Sequence, residues 1–258
     1  MSWGRGPEWA RQVGMAAALG SVPGEAETRE RVERVRAWAG PGTTGYEALR
    51  RLLVVGDFQA WAGDLGTGRV EGFLTGSSTG GFLLCVSRRA AEAAQAGLGG
   101  PSDFLCAHEV AHSLFYDCST VPVARMRVAD REEEAFCDRF AGLLLVGEDG
   151  GGVVTPLQLR ERAQACGASV GAVAYWARVS RPGVLVVAVR GVAPRLEVVW
   201  ANGEMAPAML TWLQAVVRGR AGAAEAEGRR LTWAPVKVSC RGARLLVISA
   251  SPGTRPGG

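Results

Sequence analysis

Hydrophobic positions change period along this chain, and the changes mark out its elements. Over 25–39, Val32, Val35 and Trp38 form a narrow apolar stripe in a charged background, which predicts an amphipathic helix. Pro41 and Gly42 stop it, and Thr44 is placed to cap a second helix over 46–55. The pattern then turns strand-like over 69–75 and 81–87, around a Gly/Ser/Thr-rich turn at 76–80. A short helix over 90–96 ends at Gly97, and Ser102 or Asp103 caps the next one. Asp130-Arg131-Glu132-Glu133 has the spacing of a capping box, opening a helix that runs to about 145.

The glycine-rich run at 147–152 reads as a linker. Thr155-Pro156 starts a helix to about 165, and Ser169 caps another to about 179. From 184 onward the period becomes two, with strands expected over 184–189, 196–200, 236–239 and 245–249 and a helix over 206–217 between them. The Gly/Pro-rich end from Ser251 reads as frayed, and no internal repeat is visible. Together these imply an α+β chain. Its expected parts are a helical segment at 1–40, a mostly helical domain with a small β-sheet at 41–180, and a small α+β domain at 181–258.

Composition narrows the class. A chain of 258 residues with 48% hydrophobic and 21% charged residues is ordinary for a globular protein. The net charge of +4 comes almost wholly from arginine, with Lys237 the single lysine, and no dense basic block is present. Direct DNA binding is therefore not expected. No apolar run approaches the roughly 18 residues of a membrane span, so no membrane role is expected. The stretch at 13–20 behind Arg11 is too short and weakly apolar for a signal-peptide core. Cys85, Cys106, Cys118, Cys137, Cys166 and Cys240 form no CxxC pair; they read as reduced thiols of a cytoplasmic protein.

The candidate chemistry lies in one string. Both histidines of the chain fall in His108-Glu109-Val110-Ala111-His112. At i and i+4 on a helix they share a face one turn apart, so both imidazoles can reach one metal ion. Glu109 is then free to act as general base on a water beside the ion, a pattern that points to metal-assisted hydrolysis, most often of peptides. A catalytic zinc takes three protein ligands and keeps one position open. With no histidine left, the third must be a carboxylate or a thiolate. The 131–145 helix offers Glu132, Glu133, Glu134 and Asp138. Glu132 and Glu133 read as a solvated helix start, whereas Glu134 and Asp138 share a face. Glu134 is assigned as ligand and Asp138 as the partner of a ligating histidine's second N–H. Tyr116, one helical turn beyond His112, is a candidate oxyanion donor.

Phe104-Leu-Cys-Ala-His-Glu-Val-Ala-His112, followed by Glu134-Ala-Phe-Cys-Asp-Arg-Phe-Ala-Gly-Leu-Leu-Leu145, resembles the paired helices of the ImmA/IrrE-type metallopeptidases. Phe104, Ala107, His108, Glu109, His112, Glu134, Phe140 and Ala141 match the pattern, and the resemblance covers about 45–180. Cys137 and Asp138 stand where the family has Ala-Asn, Leu145-Val146 where it has Met-Pro, and Tyr116 where many members carry a further histidine. The resemblance implies a thermolysin-like active-site helix, dependence on zinc or manganese, and cleavage of a helix-turn-helix transcriptional repressor. It also suggests that 181–258 is sensor-like. The alternative is a non-catalytic regulator with a structural metal that binds a repressor or DNA. The helix pair over 156–179, with Arg160, Arg162 and Arg178, motivates it.

Overall fold

The computed structural model describes residues 6–15, 19–65, 72–88, 91, 102–148 and 156–180 (backbone alone at 156, 178 and 180). Beyond these it describes the backbone of five strands between 187 and 252. Among the described residues the helices that the apolar stripes predict are present, and Thr44, Asp130 and Ser169 cap theirs, whereas Ser102 and Asp103, expected as caps, lie inside the helix they open. Helix α1 spans Glu8–Gln12, α2 Glu25–Ala39 and α3 Gly45–Val55. Thr44 caps α3 reciprocally: its Oγ1 accepts from Glu47 N at 3.2 Å, and its own N–H donates to Glu47 Oε2 at 2.8 Å. Helix α4 spans Ser102–His112 and passes into a 3-10 turn at Ser113–Phe115. Helix α5 spans Arg131–Leu145, α6 Pro156–Cys166 and α7 Val170–Ser180. Ser169 Oγ accepts from Ala172 N at 3.1 Å, as a cap should.

A three-stranded sheet covers one side of α4. Strands β1 (Phe58–Gly63), β2 (Gly72–Gly76) and β3 (Phe82–Ser87) have the order β1-β3-β2. β3 is parallel to β1 and antiparallel to β2, with Phe82 opposite Gly76 at the hairpin end. β1 was not expected. Its sequence, Phe-Gln-Ala-Trp-Ala-Gly, has no β-branched residue and mostly faces outward, so the free edge of β3 and not local propensity makes it a strand. A two-stranded hairpin, β4 (Tyr116–Asp117) and β5 (Ala124–Arg125), follows the 3-10 turn and pairs Tyr116 with Arg125. Each strand is two residues long, too short to leave a period in the sequence.

α4 lies between the sheet and α5, and that placement gives it two working faces. Toward the helices it buries Phe104, Ala107, Val110 and Ala111 against Phe136, Phe140 and Leu144 of α5, with Leu49 and Leu52 of α3 beside them. Trp9 is wholly buried in this core and donates from Nε1 to Ser113 Oγ at 3.0 Å. The sheet has its own apolar layer, in which Phe82 meets Tyr116 edge-on at 5.3 Å beside Leu74 and Leu84.

Past α7 the backbone is β. β6 (Val187–Arg190) pairs antiparallel with β7 (Glu197–Ala201). β9 (Arg229–Lys237) lies between β8 (Ala224–Ala226) and β10 (Arg244–Pro252), antiparallel to both. β9 begins seven residues before the expected strand at 236, and β10 continues to Pro252 where fraying was expected from Ser251. Pro235 masked the longer strand in the sequence. It is tolerated because β8 pairs only with 229–231, leaving Pro235 where β9 has a neighbour on one side among the described residues. The helix expected over 90–96 (apart from Ala91), the one over 206–217, and most of the 147–152 linker lie outside the described residues. Among the described residues, no helix is long and apolar enough to cross a membrane.

Candidate metal centre

Two helices bring the chemical residues together. α4 carries His108, Glu109 and His112, with the two imidazole rings one turn apart and edge-on, 4.9 Å between centroids. α5 runs alongside, and Asp130 fixes its start by accepting from the N–H groups of Glu132 and Glu133 at 3.0 and 2.9 Å. The first turn of α5 then presents its carboxylates to the rings. Glu134 Oε2 lies 3.1 Å from His108 Nε2, Glu134 Oε1 lies 3.5 Å from His112 Nε2, and the two Nε2 atoms are 3.1 Å apart. Donor atoms of His108, His112 and Glu134 all lie within 4.8 Å of one another.

The far side of each ring is also held. His108 Nδ1 lies 2.8 Å from Asp138 Oδ1, and His112 Nδ1 lies 2.7 Å from Glu133 Oε1. A carboxylate can only accept, so each neutral ring carries its proton on Nδ1 and turns an Nε2 lone pair inward. Two lone pairs and a carboxylate oxygen meeting at about 3 Å repel unless a cation sits among them. Bonds of 2.0–2.1 Å in a tetrahedral site put ligand atoms about 3.3 Å apart, close to the spacing of these three groups. The donor set thus fits a small divalent ion with one position left open.

Without an ion a proton takes its place, and a protonated His108 donates from Nε2 to Glu134. Burial alone would lower the pKa of His108, but hydrogen bonds to Asp138 and Glu134 and the charges of Asp138 and Glu109 lift it to about 10. Hydrogen bonds from the two histidines hold Glu134 far below the usual carboxylate range. Glu109 stands apart from the ligand group and is buried. Its burial, with the charge of Glu134, raises its pKa, against the pull of His108, His112 and Arg125. A buried carboxylate with a raised pKa beside a cation site suits proton transfer near neutral pH. Cys137 is buried on the inner face of α5, and burial pushes its thiol well above its ordinary value and Cys106 up to about 12. Neither thiol is poised as a thiolate ligand.

Three readings from the sequence change here. Glu133 is not at a solvated helix start: it is fully buried, and its carboxylate turns to His112 instead of closing a capping box on Asp130. Two ligating histidines need two Nδ1 acceptors, and that count was the signal that could have found it. Glu132 is exposed, as expected. Tyr116 is not a turn further along the helix, because α4 ends at His112 and Tyr116 opens β4 with extended backbone. Its hydroxyl is buried and donates to Leu74 O at 3.3 Å, which commits the proton that an oxyanion would need. Arg125, on β5, was not singled out in the sequence; its Nη2 donates to Glu133 Oε1 at 2.6 Å. In the α6–α7 pair, Arg160 is exposed and Arg162 donates to Glu148 O at 2.6 Å, while the Arg178 side chain lies outside the described residues.

Known proteins add little. No protein-family model matches the chain, and no curated protein matches it either. A Mycobacterium tuberculosis transcriptional regulator of solved structure is similar over 88% of this chain and 76% of its own, with 12% identity and a TM-score of 0.33. So slight a likeness carries no argument about function. The site must speak for itself.

Proposed function

We propose that this chain is a metal-dependent endopeptidase of the ImmA/IrrE type, with His108, His112 and Glu134 as ligands to zinc or manganese. Its substrate in this reading is a helix-turn-helix transcriptional repressor, whose cleavage releases stress-response or mobile-element genes. The observation that carries the proposal is the convergence of three donor atoms from two helices, with Glu109 beside them and outside the ligand group. A purely structural site has no use for that fourth, uncommitted carboxylate. The free thiols of Cys85, Cys106, Cys118, Cys137 and Cys166 suit a cytoplasmic setting.

The residues divide the work. A divalent ion held here supplies Lewis-acid polarisation of the scissile carbonyl and acidifies a water. Asp138 and Glu133 keep the Nδ1 protons in place, so both Nε2 lone pairs stay aimed inward. Glu109 takes a proton from the attacking water on its carboxylate and passes it to the leaving amine. The raised pKa of Glu109 helps the second half of that task, since the acid form must persist long enough to be used.

The test is to load the full chain with Zn2+ and incubate it with a helix-turn-helix repressor taken from a neighbouring gene. One discrete cut is expected, and Glu109→Gln should slow it by about 10²–10⁴-fold while retaining the metal. A Gln variant that cuts as fast as the parent overturns the assignment. A gel shift of promoter DNA by the chain, without any cleavage, would instead support the non-catalytic regulator.

A further inference from the structure

Glu133 is wholly buried, and an unpaired carboxylate in that position is costly. Its Oε1 accepts from His112 Nδ1 at 2.7 Å and from Arg125 Nη2 at 2.6 Å, while Oε2 has no hydrogen-bond partner among the described residues. The next cation, Arg127, keeps its Nε 4.0 Å from Oε2 and gives Nη2 to Asp130 at 2.6 Å. Among the described residues, Arg125 is therefore the one cation besides His112 that hydrogen-bonds Glu133.

Arg125 is itself held on every side. Its Nε donates to Arg127 O at 2.7 Å, its Nη1 donates to Tyr116 Oη at 3.3 Å, and its guanidinium carbon lies 5.4 Å from the centre of the Tyr116 ring. Tyr116 in turn donates to Leu74 O on β2. One chain of hydrogen bonds thus runs from His112 through Glu133, Arg125 and Tyr116 to the strand whose Gly72 abuts Glu109. A planar guanidinium fork can make these contacts at once, where an ammonium acts as a single point charge.

We infer that Arg125 is a positioning residue of the metal centre, holding the Glu133 carboxylate in place and, through it, the orientation and Nδ1 proton of His112. The consequence for metal binding rests on the proposed metallopeptidase reading; the consequence for His112 rests on the hydrogen bonds alone. The two histidines differ in a way that isolates the effect. Asp138, which serves His108, has a side chain 39% exposed, so water can share its charge. Glu133 has 0% and depends on Arg125. Loss of the guanidinium should therefore reach His112 and spare His108.

The chain has only two histidines, so a long-range proton–nitrogen correlation spectrum of the ¹⁵N-labelled, chelator-treated full-length protein shows two ring patterns. In the parent, Glu133 should keep a proton on Nδ1 of His112. In Arg125→Gln the His112 pattern should move toward Nε2 protonation while the His108 pattern stays, with Arg125→Lys in between. Zn2+ titrated against a competing chelator should bind about 10–100-fold more weakly to Arg125→Gln than to the parent. An unchanged His112 pattern in Arg125→Gln overturns the inference. So does an equal change of both histidines in both variants, which makes Arg125 a general prop of the fold. If the parent binds no Zn2+ but His112 still responds alone, the metal reading fails and the positioning role stands.

Discussion

Gly72 stands against Glu109: a side-chain carbon built on Gly72 would lie 3.5 Å from Glu109 Oε1 and 3.7 Å from its Cγ. The same carbon would lie 3.2 Å from the carbonyl oxygen of Cys85 across the β2–β3 pair. The first residue of β2 thus stands as a wall beside the Glu109 carboxylate. Gly72→Ala fits with a small adjustment and should retain most hydrolysis. Gly72→Val sends methyl groups toward the carboxylate, and displacement of a reacting group by about 1 Å costs on the order of 10²-fold in rate. The expected result for Gly72→Val is that loss in kcat with metal content unchanged. A Val variant with parental kcat would show that Glu109 is not confined by β2.

Asp138 should matter most to His108, and the effect should depend on pH. The pKa of His108 is raised from an ordinary 6.5 to about 10 in the metal-free fold, mainly by Asp138 and Glu134 acting against burial. A raised folded pKa means the stabilisation is complete below pH 6.5 and is lost as pH climbs toward 10. In chelator-treated protein, urea unfolding should therefore show Asp138→Asn less stable than the parent at pH 6, with the gap closing by pH 10. A gap that widens with pH would contradict the assignment of the Asp138–His108 pair.

Where α5 crosses α7, Gly142 lets the Trp176 indole lie directly on the helix backbone: a carbon built on Gly142 would clash with the indole, 1.9 Å from its Cε3. Two effects oppose each other in Gly142→Ala. Helix propensity favours alanine by about 1 kcal/mol, and overpacking a core costs about 1–3 kcal/mol. With both partners buried and the overlap this deep, overpacking should win. A lower melting temperature is expected, by about 2–4 °C for each kcal/mol lost. A higher one would mean that Trp176 moves aside freely.

How much was legible in advance depended on whether the signal was local. The Thr44 cap, the stripe of Val32 and Val35, and the i, i+4 spacing of His108 and His112 act within one helix, and the structure carries each of them as read. Glu134 and Asp138 were legible because their common helical face and their chemistry pointed the same way, and both lie beside His108. Glu133 was not, since its neighbours in sequence are solvated and the partners that make its burial tolerable come from other elements, His112 from α4 and Arg125 from a hairpin of two-residue strands. Tyr116 was placed on a helix because nothing local announces that α4 ends at His112 and gives way to a 3-10 turn. β1 borrows its conformation from β3, so its own residues could not declare it.

The central claim is that His108, His112 and Glu134 hold one divalent ion. Equilibrating the chelator-stripped full chain with Zn2+ and counting bound metal per chain tests it most directly. One ion per chain is expected in the parent and in Glu109→Gln, with binding lost in His112→Ala and in Glu134→Ala. A parent that binds no zinc or manganese, or a Glu134→Ala variant that binds as tightly as the parent, would contradict it.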